Sequence, residues 1–246
     1  MTHDPDPVEN RFAAVVTELD KARRGLAFYA VVVLAFTAVS SAFSERILLA
    51  LVRLLNRKIV AYDPSEAFLS LVSLAFYCGI VLSLPVGASM LWRGVLAPRL
   101  PGMKRLGGAV IVVATALFAA GVLLGYLVIL PSGIGFLAGF ESRDVLALIS
   151  ARRFISFCGT MLIALGLSFE APLLSYLLAR IGWLGTGFFR KKWRHALLGC
   201  TVLSAVITPT PDVWNMTLLA VPLLGLYFVS FAVVWVVEAT GRSPKI

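Results

Sequence analysis

Charge is what this chain lacks most: only 14% of its 246 residues are Asp, Glu, Lys or Arg, while 59% are hydrophobic. A water-soluble domain of this length carries roughly 25% charged residues, so a single solvated globule is excluded. Histidine is rarer still. His3 and His195 are the only two, no H-E-x-x-H pair occurs, and no G-x-x-x-x-G-K-[ST] loop is present to cradle a nucleotide phosphate. Gly166-Leu167-Ser168-Phe169 loosely follows a serine-hydrolase elbow, but the closing glycine is missing. No second span supplies a histidine base, which argues against intramembrane proteolysis. Cys78, Cys158 and Cys200 are isolated and odd in number, so neither a disulfide framework nor a metal site is expected. They read as small apolar fillers. No catalytic residue and no cofactor is expected.

What the sequence has instead is long apolar blocks. About 20 residues at ~1.5 Å rise cross a ~30 Å hydrocarbon layer. The pattern predicts six transmembrane helices at 25–43, 68–92, 106–130, 154–178, 195–207 and 214–237. The expected fold is all-α, a polytopic membrane protein with a single domain over 1–246. The first block follows a long polar leader, with an amphipathic stretch from Phe12 to Lys21, and reads as a retained span rather than a cleaved signal. Glu45–Lys58 reads differently. Ile47, Leu48, Leu51, Leu54 and Leu55 recur at helical spacing with Arg46, Arg53, Arg57 and Lys58 largely off that face, the pattern of an interfacial helix. Asp63-Pro64 marks the start of the second span, and Pro85 should kink it. Residues 93–105 read as a short basic loop, Pro131-Ser132-Gly133 as the close of the third span, and 131–153 as a longer loop with a helical stretch at Val145–Ile149. Arg180–Arg194 reads as a basic, glycine-punctuated connection. The fifth block is odd, because Ala196 to Ile207 reaches only about 18 Å as a helix. Such a span must thin the bilayer or recruit partners.

The formal net charge of +9 is dispersed among the loops without an aromatic-basic stripe, so it reads as membrane orientation rather than nucleic-acid binding. Arg11, Lys21, Arg23, Arg24, Arg93, Arg99, Lys104, Arg105, Arg180, Arg190, Lys191, Lys192, Arg194, Arg242 and Lys245 fall on one side, fifteen of the 22 basic residues. Arg46, Arg53, Arg57, Lys58, Arg143, Arg152 and Arg153 fall on the other. Both termini are therefore expected in the cytoplasm, with Glu45–Lys58 an interfacial periplasmic helix. Trp92, Trp183, Trp193, Trp214 and Trp235 all lie near span ends, as an aromatic belt requires.

Glu170 lies inside the fourth span, where an acidic side chain costs on the order of 2.5–3.5 kcal/mol. It must face protein, water or a partner helix. Pro172, two residues on, bends the helix near the same place. Phe169-Glu170-Ala171-Pro172 resembles the F-E-x-P segment of the TatC family of twin-arginine protein translocases. Other fragments follow in the same order: Asp63 to Phe68 with Leu84-Pro85, Ala97-Pro98 with the basic residues after it, Phe189-Arg190-Lys191-Lys192-Trp193-Arg194, and Thr208-Pro209 through Asp212 with Leu218-Leu219-Ala220-Val221-Pro222. The resemblance covers nearly the whole chain. It implies a non-enzymatic inner-membrane receptor that binds twin-arginine signal peptides of folded cargo at its cytoplasmic face. It implies transport driven by the proton-motive force, with TatA- and TatB-like single-span subunits as partners in homo- and hetero-oligomers. Guanidinium groups would dock on carboxylates there. Glu18 matches that role, Asp20 is placed by proximity, and Lys104 and Arg105 lie on the same face. Glu170 would contact partner helices or signal peptide within the bilayer, and Thr208, Asp212 and Asn215 would form an outer-edge partner contact.

The chain departs from the family pattern where the receptor face lies. Asp20 stands where arginine is usual, Lys104 where an acid is usual, Met216 for a polar residue and Phe228 for an acid, and Thr210 reads as an insertion. These changes leave open a divergent paralogue acting in assembly. A six-span secondary transporter also uses a midplane carboxylate, although no internal repeat of three spans is evident.

Overall fold

A computed structural model describes residues 7–55, 62–99, 106–138, 150–208 and 213–241, with the backbone alone described at 7–22, 54–55, 95, 99, 134 and 136–138. Among these residues every regular element is a helix. The polar leader and first apolar block form one continuous helix, α1 (Pro7–Ser41), opened by a proline, whose missing N–H costs nothing at a helix start. A turn at Ala42 and Phe43 leads into α2 (Ser44–Leu55), the expected amphipathic helix. Ile47, Leu48 and Leu51 pack on the main core while Arg46 and Arg53 stay exposed. Arg57 and Lys58 lie outside the described residues.

α3 (Pro64–Leu91) holds α1 along a seam of small residues, Gly79, Ser83 and Gly87, spaced four apart on one face. A methyl group on Gly79 would collide with Thr37, and one on Gly87 would lie 2.9 Å from the Tyr29 ring. Tyr29 Oη and Ser83 Oγ share a hydrogen bond of 3.0 Å across the same seam.

Two stretches expected to interrupt helices do not. After α3 a π-helical turn, Trp92–Leu96, runs into α4 (Ala97–Arg99), so the expected loop at 93–105 begins as helix; 100–105 lie outside the described residues. After α5 (Gly107–Leu124) a second π turn, Gly125–Ile129, runs into α6 (Leu130–Ala138), straight through Pro131-Ser132-Gly133. The reason is shared. Ala97 N–H bonds the Trp92 carbonyl and Leu130 N–H bonds that of Gly125, each five residues back and each just before a proline. The wider turn moves the ladder out of register where the proline has no N–H to give. The stretch Val145–Ile149 lies outside the described residues.

The fourth block is two helices, α7 (Ala151–Phe169) and α8 (Ala171–Ile181), broken at Glu170. α8 stops at Gly182, which takes φ 89° and closes a Schellman motif through Gly182 N–H to Ala179 O and Trp183 N–H to Leu178 O, both 3.0 Å. α9 (Thr186–Ile207) then starts inside the basic stretch expected as a loop, so Arg190 to Arg194 are helical. Arg190, Lys191 and Lys192 are good helix formers, and Gly185 stands just before the helix as its N-cap. α10 (Val213–Ala239) contains Pro222.

α7 forms the centre of the bundle. Phe154, Ile155, Cys158, Met161 and Leu165 join Leu51, Leu74, Leu130, Leu219 and Leu223 in one buried cluster. Cys158 is a filler there, as expected, 1% exposed. Trp92 is not in an aromatic belt: it is 4% exposed, packed with Leu177, and lies so close to Gly107 that no side chain fits there. Trp183, Trp193, Trp214 and Trp235 are exposed. Five helical stretches are long and apolar enough to cross a membrane: Arg23–Ser41, Pro64–Gly94, Gly107–Gly133, Ala151–Ile181 and Val213–Ala239. α9 is the sixth apolar helix, its early residues basic and its later ones apolar.

Candidate functional site

α7 is locked in place before it breaks. A Cβ on Gly121 of α5 would lie 2.8 Å from the Leu165 carbonyl and 2.9 Å from Gly166 Cα, so the two backbones are nearly touching. Gly166 in turn sits against the Phe118 ring, and Gly159 lies under the ring of Tyr77 from α3. Tyr77 Oη is 3.3 Å from Ser156 Oγ and 3.4 Å from Thr160 Oγ1. These approaches fix both the rotation and the depth of α7.

The break follows from Pro172. Its nitrogen has no proton for the Ser168 carbonyl, and its ring crowds that carbonyl. Glu170 adopts φ −73° and ψ −14°, ends α7 with N–H to Leu167 O at 3.1 Å, and restarts the ladder by accepting Leu174 N–H at 2.9 Å. The carboxylate is half-buried, and its Oε1 is buried with no hydrogen-bond partner among the described residues. In a membrane span such an orphan has a large desolvation cost, which nothing among the described residues offsets.

Two other carboxylates show what a satisfied acid looks like in this fold. Glu66, near the start of α3, accepts Tyr62 N–H at 2.9 Å, Arg152 N–H at 3.4 Å and the Ser150 hydroxyl. Ser150 is itself the N-cap of α7, accepting from Arg153 N–H. Glu238, near the end of α10, accepts Thr186 N–H at 2.9 Å and Thr186 Oγ1–H at 2.6 Å. It caps α9 from outside, since the N-cap residue Gly185 has no side chain to do so. Both acids tie a helix start to a neighbour. Glu170 does neither.

The remaining sequence-predicted positions divide. Glu18 and Asp20 lie on α1. Lys104, Arg105 and Asp212 lie outside the described residues. Thr208 ends α9 with its hydroxyl turned back to the Ser204 carbonyl at 2.8 Å. Asn215 is buried in the first turn of α10, where a methyl on Gly133 of α6 would come within 3.3 Å of its Oδ1. Thr208 and Asn215 therefore flank residues 209–212 at one end of the α9–α10 pair. Sequence reasoning passed over Glu238 and the Gly79 seam. An acid at the end of the last span, and small residues every fourth position in α3, were the available signals.

Comparisons with known proteins agree with one another. The family profile described as Sec-independent protein translocase protein (TatC) matches residues 17–222. The chain is 36% identical to the Sec-independent protein translocase protein TatC of Deinococcus radiodurans over 91% of this chain and 86% of that protein. It is 34% identical to that of Carboxydothermus hydrogenoformans over 75% of this chain and 76% of the relative. A crystal structure of the twin arginine translocase receptor TatC superposes with a TM-score of 0.81 at 24% identity, covering 90% of this chain and 99% of the other, a likeness of fold.

Proposed function

The chain belongs to the TatC family of Sec-independent protein translocase proteins, and from that premise we propose that it is the receptor subunit of a twin-arginine translocase in a bacterial or archaeal cytoplasmic (inner) membrane. Membership removes the secondary-transporter reading. In the proposed cycle a twin-arginine signal peptide docks at the cytoplasmic face near Glu18 and Asp20, with Lys104 and Arg105 beside it. Single-span TatA- and TatB-like subunits pack against the bundle, reaching Glu170 in the bilayer and Thr208, Asp212 and Asn215 at the outer edge. Folded cargo then crosses at the expense of the proton-motive force. The observation that carries this reading is Glu170: a rigidly positioned helix break holds a half-buried carboxylate, one oxygen of which finds no partner among the described residues. The fold as described gives that oxygen no donor, whereas a partner helix or peptide would supply one.

The departures of the receptor face carry a test. A lysine at position 104 has no acceptor for a guanidinium, and its charge repels the arginine pair. Wild type is expected to bind a standard twin-arginine peptide weakly, Lys104→Glu to strengthen binding by about tenfold, and Glu18→Ala to abolish what remains. Equilibrium binding of a labelled peptide to the detergent-solubilised proteins decides it. Tight wild-type binding that Lys104→Glu leaves unchanged would show that other groups read the arginines.

A further inference from the structure

α7 carries two lengthwise seams on opposite sides. Phe154, Cys158, Met161 and Leu165 form the one buried in the core. The other runs through Ser156, Thr160, Ile163, Leu167 and Glu170 to Leu174 of α8, at intervals of four, three, four, three and four residues. That is the a/d spacing of a helix–helix contact, and it bridges the break because Leu174 N–H bonds the Glu170 carbonyl. No residue of this second seam is buried, and Leu167 at its middle is 56% exposed.

Both ends of the seam are polar. At one, Tyr77 lies over Gly159, where a Cβ would collide with the ring, and its Oη meets Ser156 Oγ and Thr160 Oγ1. Hydroxyls elsewhere on the membrane helices, such as Ser73, Thr115 and Ser168, turn back to the carbonyl four residues before them at 2.7, 2.8 and 2.7 Å. Ser156 and Thr160 make no such bond among the described residues, and both are exposed. Three hydroxyl protons serve two contacts there, so one donor is left over. At the other end stands the half-buried Glu170 carboxylate, one oxygen of which finds no partner among the described residues. Along the axis Glu170 lies about 15 Å from Thr160 and about 21 Å from Ser156.

We propose that this seam seats one further apolar membrane-spanning helix of a partner, with an amide or carboxyl oxygen opposite the hydroxyls and an N–H or O–H donor opposite Glu170. The two polar groups of that helix stand about ten to fourteen residues apart on one face, with apolar side chains between them against Ile163 and Leu167. Acyl chains cover the middle of the seam equally well but offer nothing at either end, so lipid leaves both ends unsatisfied. A helix at the shallow crossing angle of a/d packing stays beside α7 over that whole length. The inference rests on the reading that a single-span partner reaches Glu170, and it adds the second anchor, the register and the path.

The test uses the full chain in phosphatidylcholine vesicles, with synthetic membrane-spanning Leu/Ala helices as probes and energy transfer between labels as the readout. One probe carries two asparagines fourteen residues apart on one face; the control has one of them moved to the opposite face. Wild type is expected to bind the first probe about fivefold tighter than the control, the worth of one interhelical hydrogen bond in lipid. Tyr77→Phe combined with Ser156→Ala and Thr160→Val keeps the ring over Gly159 and removes that gain, and Glu170→Ala removes it as well. Under copper-phenanthroline oxidation, Leu167→Cys forms a disulfide with a cysteine at the centre of the probe. Leu123→Cys, equally exposed but on the side of α5 turned away from α7, does not. Should the triple variant fold poorly, Tyr77→Phe alone and the Leu167→Cys pairing still decide. Equal binding of the two probes by wild type, or equal crosslinking at both cysteines, overturns the proposal. A gain lost in Glu170→Ala but kept in the hydroxyl variants also overturns it, while leaving the receptor reading intact. Twin-arginine peptide binding to wild type and Lys104→Glu bears on the receptor reading alone.

Discussion

Glu170 sets the terms at the scale of single residues. An unpartnered buried oxygen contributes desolvation cost and no bond, so its removal leaves nothing newly unsatisfied. Glu170→Ala is therefore expected to insert normally and to unfold in detergent within ~1 kcal/mol of wild type. Its crosslinking to a single-span partner or to signal peptide should fall several-fold. A variant that unfolds early yet assembles and exports normally would instead make Glu170 a structural residue. This position was legible in the sequence because an acid within an apolar run is rare enough to stand out. Glu238 was not legible. An acid in a terminal turn is ordinary, and only the presence of Thr186 gives it meaning. Trp92 was misread for the same reason, since proximity to a span end does not say which way a ring points.

Helices were legible in number and misread at their ends. The sequence reads 93–105 as a loop and Pro131-Ser132-Gly133 as the close of a span, but the π turns before Pro98 and Pro131 let the helix continue. Nothing in composition announces a register shift of one residue. Seams between helices were equally hidden, because a glycine reads the same whether it faces lipid or a backbone. Two glycines separate these cases. Gly79→Leu must push α1 off α3, where Thr37 occupies the space, and is expected to destabilise by about 1–3 kcal/mol. A Cβ on the exposed Gly225 of α10 meets nothing within 4 Å, and Gly225→Leu should stay within about 0.5 kcal/mol of wild type. Thermal unfolding of both variants in the same detergent checks the contrast. Equal effects would mean that the α1–α3 seam is not the close contact described.

For the whole molecule, the question that governs function is parity, because an odd number of crossings would put the termini on opposite sides. Five stretches meet a strict length and hydropathy standard, and α9 does not. Its apolar part, Ala196 to Ile207, reaches about 18 Å, short of the ~30 Å core. The packing nevertheless makes α9 the antiparallel companion of α10. Glu238 at the end of α10 holds Thr186 at the start of α9, and Tyr227 Oη donates to the Phe189 carbonyl at 2.7 Å. Phe189 and Phe231 lie 6.0 Å apart, and Ser204 is fully buried further along α9. A helix tied at its start to the end of a span, and packed alongside it, travels back across the same layer. Its 22 residues reach about 33 Å, long enough if Arg190, Lys191, Lys192 and Arg194 extend toward headgroups and the bilayer thins locally. Counting α9 gives six crossings and both termini on one side, the side holding fifteen of the 22 basic residues. Alkaline phosphatase fused after Ile246 or within 93–105 should be inactive, and within 131–152 active, while green fluorescent protein fusions report the reverse. Activity of phosphatase after Ile246 together with inactivity within 93–105 would mean that α9 dips into the bilayer and returns rather than crossing it.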